Sequence, residues 1–312
     1  MDKWPKALVP TSGPMRQDKL AGAAEGMGVW GEQLQSLAAS GVVQPDVMTA
    51  LTLFILGNQP RDPLKKQKIP GAGGGVAGGV WVRERFTIHR PLQQDDVFTV
   101  TGEAIGRHVH KGRRYGTNAS KTLNSQGELV GSNLTTGLLA YKVEEGLSDS
   151  LEGQSPDDVE AVGPDWDVAA NNPCKDKIES LRVGDAFGGY EVLVGLDLME
   201  ARDTKNPDNP IHSDPELAKK AGLAKPIAGG AHVLSFPLEV VMAAAGRDAL
   251  LHGAAFDIRW KAPVYADLTI IPNARVAQVE ADRVVFEIDA VIVGGAVAMV
   301  GTVTIPLPRT AA

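Results

Sequence analysis

Residues 203–230 read DTKNPDNPIHSDPELAKKAGLAKPIAGG, and they bring a histidine, several carboxylates and a glycine pair close together along the chain. Proline fixes its own φ and disfavours helix in the residue before it, so Asn209-Pro210 predicts a rigid turn. His212 follows two residues after the proline. The stretch therefore predicts an imidazole held at the end of a loop that does not become helical.

A short helix is expected directly after this histidine. Asp214 followed by Pro215 has the residue types favoured at a helix cap and at the first helical position. Ser213 and Glu216 have the spacing of a capping box and would serve equally well. Gly222 predicts the end of the helix, because glycine readily adopts the left-handed conformation found there.

Each half of the chain contains one strongly apolar helix. Residues 46–56 (DVMTALTLFIL) are apolar on all faces, which predicts a buried helix. In the second half, Pro226 and the pair Gly229-Gly230 lead into a long apolar helix at about residues 231–245.

Strands are predicted after each buried helix, because apolar and polar residues alternate there as in a half-buried antiparallel sheet. A doubly wound parallel sheet is not expected, because no helices separate the late strands. We therefore expect an α+β chain with a double hotdog fold, in which two antiparallel sheets each wrap around a central helix. The predicted strands cover about residues 80–88, 96–106, 113–123 and 128–143 in the first half, and 254–261, 268–279, 283–293 and 296–306 in the second.

A linker is expected at residues 144–172, which are acidic and rich in Gly, Ser, Pro and Asp. It divides the chain into a first half, residues 1–143, and a second half, residues 173–312. Only the second half contains an Asn-Pro-x-His sequence. We therefore expect the second half to carry chemistry and the first half to shape the ligand pocket.

The composition excludes several classes of function. The net charge of −7 leaves no basic surplus for nucleic acid. Cys174 is the single cysteine, so an internal disulfide and a cysteine-based metal cluster are excluded. No apolar run reaches transmembrane length, and no signal-peptide pattern is recognisable at the start. A cytoplasmic protein that binds neither membrane nor nucleic acid is expected.

The stretch at residues 203–230 resembles the signature of the MaoC-like, (R)-specific enoyl-CoA hydratase family, which is roughly G-D-x-N-P-x-H-x-D, a helix ending in A-x-x-x-G, and then P-I-x-H-G. Two positions differ from it: Pro207 stands where the family has aspartate, and Gly229 where it has histidine. The matching residues are Asn209, Pro210, Ile211, His212, Asp214, Ala218, Gly222, Pro226, Ile227 and Gly230.

The resemblance implies interconversion of trans-2-enoyl and (3R)-3-hydroxyacyl thioesters, without a metal or another cofactor. His212 is the expected catalytic base and acid, because imidazole titrates near neutral pH. Asp208 is the first choice for its partner, since a carboxylate beside an imidazole can hold the same water. Asp203 is the alternative, and Asp208 has a structural interpretation as a turn residue that bonds its own backbone.

Other residues of the stretch have supporting roles under the same resemblance. The N–H of Gly230 would stabilise negative charge on the thioester oxygen, because a helix start has unsatisfied donors. The alternative is that Gly229-Gly230 only forms a tight bend. Asn209 is expected to hold the loop in shape, and Asn209 and Gly229 are expected to contact substrate. His232, in the first turn of the long helix, is expected to be a packed residue.

Two charged or glycine-rich segments invite other interpretations. Residues 108–114 (HVHKGRR) are the densest basic cluster, and Lys111, Arg113 and Arg114 could bind coenzyme A phosphates. A solvated hairpin tip is the plainer interpretation. Residues 71–79 (GAGGGVAGG) are not a phosphate loop, because they lack G-K-S/T and precede a strand.

Two further functions remain open at this point. A hotdog thioesterase would need a carboxylate on the central helix, where Glu239 is the only one well inside. A non-catalytic acyl-CoA-binding protein is the other alternative. The sequence does not distinguish coenzyme A from acyl carrier protein as the carrier, or a monomeric pseudo-dimer from a homodimer.

Overall fold

The computed structural model describes residues 4–57, 80–139, 143–160, 162–203 and 210–308. The predicted long helices and strands are confirmed within these ranges. In the first half the elements are β1 (Lys6–Ala7), β2 (Thr11–Pro14), α1 (Gln17–Glu25), α2 (Glu32–Ala39), α3 (Pro45–Gly57), β3 (Val80–Ile88), β4 (Val97–His110), β5 (Arg113–Leu123), β6 (Leu129–Leu138) and β7 (Ser150–Gly153). In the second half they are α4 (Lys175–Glu179), β8 (Ala186–Gly188), β9 (Val192–Val194), α5 (Leu196–Asp203), α6 (Pro215–Lys220), α7 (Gly230–Ala245), β10 (Ala255–Trp260), β11 (Leu268–Val279), β12 (Arg283–Ile292) and β13 (Val297–Pro306).

The two halves repeat one arrangement. In each, a buried helix precedes four antiparallel strands, and the second strand of the four lies farthest from the joint between the halves. The strand order β4-β5-β6-β3-β10-β13-β12-β11 is therefore symmetric about the β3–β10 pair. The helix α3 packs against β3, β4 and β6, and α7 packs against β11, β12 and β13. The chain is an α+β double hotdog, as the sequence predicts.

The joint between the halves is a pair of stacked aromatic rings. Phe86 on β3 and Phe256 on β10 are register partners, and both are buried. Their ring centroids lie 4.0 Å apart with an interplanar angle of 4°. Cross-strand aromatic pairs stabilise a sheet, so this stack adds to the backbone pairing of β3 with β10 that joins the two half-sheets.

Periodicity explains the core of the second half. Val284, Phe286 and Ile288 alternate along β12 and are all buried beneath α7. Most residues of α7 are buried, and most of them are apolar. Burial on nearly all faces is what an all-round apolar helix requires.

In the segment 144–172, which we call the linker segment, residues 150–153 pair with β4, and residues further along contact the outer face of β3. Its boundaries as a domain linker stay a prediction, but its contacts are specific. Residues of β3 and the residue after it hold the linker segment: Arg83 pairs with Asp157, and Thr87 donates to the carbonyl of Gly163. His89, directly after β3, forms a hydrogen bond with Asp165.

Candidate active site

The loop that carries His212 is folded tightly against its own small core. Residues Pro210–His212 form a single 3₁₀ turn, and α6 begins three residues later. Asp214 caps α6 by accepting from the backbone N–H groups of Glu216 and Leu217, with Pro215 at the first turn. Of the two caps open from sequence, the structure uses Asp214. Ile211 is buried in a cluster with Ala218, Leu223 and Ile227.

One hydrogen bond fixes the His212 ring. Nδ1 of His212 lies 2.6 Å from the carbonyl oxygen of Ile227. A carbonyl only accepts, so Nδ1 carries the hydrogen and Nε2 of the neutral ring carries the lone pair. A Cβ placed on Gly229 would lie 3.9 Å from Nε2. The basic nitrogen therefore faces the start of α7.

The backbone that accepts this bond is itself held rigidly. Ile227 forms an antiparallel bridge with Tyr265. The N–H of Ala228 donates to Val264 at 2.8 Å, and Ala266 donates to Pro226 at 2.9 Å. The position of His212 is thus determined by the strand connection beneath it.

Gly229 and Gly230 form the start of α7. Gly229 is the N-cap with extended backbone (φ −60°, ψ 149°), and no side chain caps the helix. The first N–H groups of a helix have no partner within it, and the helix dipole favours negative charge beside them. This helix start therefore has the donors that a developing oxyanion requires.

Two tryptophans enclose Gly230, and sequence reasoning missed both. A Cβ at Gly230 would lie 3.0 Å from Trp81 Cε3 and 3.2 Å from Trp260 Cε2. Trp260 Nε1 also donates to the Gly230 carbonyl at 3.1 Å. Trp81 comes from β3 of the first half and Trp260 from β10 of the second, so the site lies at the joint between them. No local signal links residues so far apart in sequence.

Several predicted residues lie outside the described residues. These are Asp208, Asn209 and the glycine-rich segment 71–79. The alternative acid, Asp203, is the last residue of α5 and is half-buried. The choice between Asp208 and Asp203 therefore stays open, and the roles of Asn209 and Gly229 stay predictions.

Residues 207–299 match the family model of the MaoC-like domain. This part of the chain is similar to the MaoC-like domain. The match contains both His212 and Gly230, the two groups that the fold brings to the start of α7. The comparison with curated proteins finds no significant sequence match.

Solved structures resemble the whole chain and not only its MaoC-like domain. A MaoC-like dehydratase is 16% identical with a TM-score of 0.69, covering 96% of this chain and 98% of that one. A conserved hypothetical protein of Mycobacterium tuberculosis, described as a double hotdog, is 12% identical with a TM-score of 0.62, covering 96% of each chain. A Lactobacillus plantarum protein assigned as an oleoyl thioesterase is 11% identical with a TM-score of 0.55, covering 97% and 98%. At these identities the likeness concerns the fold.

His232 is a packed residue of the MaoC-like domain, as predicted. It is 1% exposed, and its Nε2 lies 2.7 Å from the carbonyl of Gly26 on the first half. Burial, and next the Arg202 cation, lower the pKa of His232 to about 3. The ring is therefore neutral and ties α7 to the N-terminal helices.

Glu239 also has a structural task in the MaoC-like domain. Its two carboxylate oxygens accept from the backbone N–H groups of Gln33 at 2.7 Å and Leu34 at 3.0 Å. These are orphan donors in the first turn of α2, so Glu239 caps a helix from across the molecule. Burial raises the pKa of Glu239. The carboxylate that a thioesterase would need is thus occupied.

The basic cluster at residues 108–114 forms the tip of the β4–β5 hairpin. Lys111 and Gly112 both have positive φ, as a two-residue hairpin turn requires. Arg114 forms two hydrogen bonds with Glu144, and the Lys111 N–H donates to Asp149. Part of the positive charge is therefore matched by the linker segment, while the Lys111 side chain is exposed.

The hairpin tip and the tryptophans lie at the same end of the sheet. Tyr115 pairs with Leu138, which pairs with Val80 beside Trp81. Three strand spacings of about 4.8 Å separate β5 from β10, which is about 14 Å. A long ligand seated at Gly230 could therefore reach the hairpin.

A serine, a histidine and an aspartate lie in line outside the MaoC-like domain. His89 Nδ1 is 2.6 Å from Asp165 Oδ2, and its Nε2 is 2.9 Å from Ser132 Oγ. A nucleophilic serine also needs donors for an oxyanion. Ser132 lies inside β6 between β3 and β5, where backbone N–H groups are used in the sheet. We assign this cluster to holding the linker segment on the sheet.

Among the described residues, no group of three or more His, Cys, Asp or Glu side chains could hold a metal ion. Within the same ranges, no helix is long and apolar enough to cross a membrane.

Proposed function

We propose that this chain interconverts trans-2-enoyl thioesters and (3R)-3-hydroxyacyl thioesters. The supporting observation is the orientation of His212. The Ile227 carbonyl holds Nδ1, so that the basic Nε2 faces the uncapped start of α7. A base and a set of oxyanion donors thereby face one another, which is what addition of water to a conjugated thioester requires.

In the hydration direction, Nε2 of His212 takes a proton from water, and the water oxygen bonds to the β-carbon. The electrons of the double bond move toward the thioester, whose oxygen gains enolate character. The Gly230 N–H stabilises that charge, and a donor of this kind contributes about 3 kcal/mol. The proton taken from the water is delivered to the α-carbon, while Asp208, or Asp203 in its place, holds the same water as His212. Dehydration follows the same steps in reverse.

Water addition neither oxidises nor reduces the substrate, so the proposal includes no metal or redox cofactor. Coenzyme A is the proposed carrier, with acyl carrier protein as the alternative. Lys111 is the best placed of the three basic residues to bind its phosphates, because Arg114 is paired with Glu144. The β3–β10 joint already unites both halves in one chain, so a monomeric pseudo-dimer can be complete, and a homodimer is the alternative. A cytoplasmic location stays a prediction.

Absorbance at the conjugated-thioester band tests the proposal and identifies the acid. Wild-type protein should consume a trans-2-enoyl-CoA, and chiral analysis should find the (3R)-hydroxy product. Asp208→Asn should abolish turnover while Asp203→Asn retains it. The reverse pattern would make Asp203 the acid. If no enoyl-CoA of any chain length is hydrated, the hydratase proposal is wrong.

The acyl-CoA-binding alternative has one supporting observation, which is Pro207 at the family's aspartate position. It predicts tight acyl-CoA binding without turnover, unchanged in His212→Ala. Both hypotheses allow His212→Ala to bind, so turnover of a trans-2-enoyl-CoA by a wild type that binds a saturated acyl-CoA tightly in calorimetric titration separates this alternative from the hydratase.

A further inference from the structure

Glu84 is a fully buried carboxyl group on the inner face of β3. Its exposure is 0%, while its neighbours Arg83 and Arg85 face the linker segment on the other side of the sheet. Asn133 Nδ2 and Thr135 Oγ1 donate to Oε1 at 2.8 and 2.9 Å. Oε2 is equally buried and has no hydrogen-bond partner among the described residues.

This arrangement determines where the proton of Glu84 lies. Burial raises the pKa of Glu84 to about 8, so the group is a neutral carboxylic acid at neutral pH. Both donors point at Oε1, so the proton belongs on Oε2. A buried O–H without an acceptor costs free energy, and such groups are rare in folded proteins. Among the described residues no acceptor meets this O–H, which leaves it available to an oxygen atom of a ligand.

Other polar side chains surround this acid between α3 and the first half-sheet. Thr52 on α3 bonds Ser120 on β5 at 3.1 Å, and both are buried. Asn133 also reaches the carbonyl of Thr49 on α3. We call Glu84, Thr52, Ser120, Asn133 and Thr135 the polar layer.

The second half shows that the fold does not require a polar layer. The equivalent space beneath α7 is filled by buried apolar side chains, and the two halves have the same architecture. Protein cores exclude polar groups unless these groups find partners. The polar layer is therefore a feature of the first half alone and not of the shared architecture.

The polar layer and the candidate active site lie on the same face of the neighbouring strands β3 and β10. Glu84 is the register partner of Ile258, and Trp260 is two residues further along the same face of β10. Diagonal neighbours of this kind are about 7–8 Å apart. Trp260 contacts Gly230. The inner face thus leads from the start of α7 to the unmet O–H of Glu84.

We propose that Glu84 and the polar layer recognise an oxygen atom on the acyl chain of the substrate. The preferred substrate would carry a hydroxyl or keto group beyond the reacting carbons, and this oxygen would accept from Oε2–H. The inference rests on the proposed function for its substrate class. It predicts a specificity that plain alkyl chains do not satisfy.

The test compares trans-2-enoyl-CoAs of equal chain length, one with a plain alkyl chain and the others with one hydroxyl or keto group at successive carbons. Wild type should prefer one oxygenated isomer by at least about tenfold in kcat/KM, the ratio produced by one good hydrogen bond. Glu84→Met, of similar volume, should bring the ratio close to one. Glu84→Gln retains an N–H donor and should keep most of the preference.

Two results would overturn the inference: a wild-type ratio near one for every isomer, or an unchanged preference in folded Glu84→Met. The wild-type ratio decides the matter even where Glu84→Met does not fold. Calorimetric titration with the corresponding saturated acyl-CoAs gives the preference as a ratio of dissociation constants, which does not depend on turnover. A binding preference for the oxygenated chain with no hydration would support the Glu84 site and reject the hydratase. Hydration without any preference would support the hydratase and reject the Glu84 site.

Discussion

Replacing Glu84 by glutamine should change how stability depends on pH. The pKa of Glu84 is raised from 4.5 to about 8 in the folded protein, so the folded state holds this proton more tightly than the unfolded state does. The wild type therefore loses no stability from Glu84 below pH 4.5. It loses stability progressively as pH rises to about 8, because the unfolded carboxyl ionises and the folded one does not.

The magnitude follows from the shift, which is 8 − 4.5 = 3.5 pH units. At about 1.4 kcal/mol per unit, the full penalty is about 5 kcal/mol, and about 3–4 kcal/mol of it develops between pH 5 and pH 8. Glutamine does not titrate, and its carbonyl can still accept from Asn133 and Thr135. The free energy of unfolding of Glu84→Gln minus that of wild type should therefore rise by about 3–4 kcal/mol over that range.

Urea denaturation of both proteins at pH 5, 6, 7 and 8 measures this difference. Glu103→Gln is the matched control, because Glu103 is an exposed glutamate on β4, and its difference from wild type should stay flat. A flat profile for Glu84→Gln as well would show that Glu84 ionises equally in both states. A protonated Oε2 in the folded protein, on which the proposed ligand contact depends, would then be excluded.

Three further predictions concern the site and its supports. Gly230→Ala would place a Cβ 3.0 Å from Trp81 and 3.2 Å from Trp260, so the helix start and its N–H should shift. The value of kcat should then fall by about 10²–10³, and an unchanged kcat would contradict the predicted shift. Glu239→Gln removes one acceptor for the α2 donors and should cost about 1–2 kcal/mol in urea unfolding, without changing the rate per folded molecule. A lower rate per folded Glu239→Gln molecule would contradict the assignment of Glu239 as a structural cap of α2. Lys111→Glu should raise KM for a coenzyme A thioester but not for the N-acetylcysteamine thioester, with kcat unchanged, and equal effects on both would rule out phosphate binding.

The elements of this fold could be predicted from local patterns. Strands such as Arg283–Ile292 alternate with period two, and the helix Gly230–Ala245 is apolar on most faces, so burial alone specifies both. A cap at the start of α6 and a packed His232 were also accessible from residue types and spacing, although these left Ser213 and Asp214 equally open as the cap. These features depend on neighbours in sequence.

The enclosure of Gly230 could not be predicted, because it depends on long-range pairing. Trp81 and Trp260 meet only after β3 and β10 join the two half-sheets. A β-bulge between Trp81 and Arg83 also shifts the alternation at that end of β3, and bulges re-aim side chains in this way.

The sequence places Glu84 at an inward-facing position of a strand, where a charged residue is unexpected. In the run VWVRERFTI it shares a face with Phe86 and Ile88, both buried. A charged residue at an inward position breaks the binary pattern that specifies a core. Such violations concentrate at functional sites, where a ligand compensates for the cost. The pattern could therefore have identified Glu84, although not its partners Asn133 and Thr135.

The most direct test of the hydratase mechanism is the rate at which His212→Ala removes the conjugated-thioester absorbance of a trans-2-enoyl-CoA. His232→Gln is a suitable control, because His232 lies on the same helix start but is buried against Gly26. The mechanism predicts a rate at least about 10³ lower for His212→Ala, with acyl-CoA binding retained, and a rate near wild type for folded His232→Gln. Hydration at the wild-type rate by His212→Ala would contradict the account.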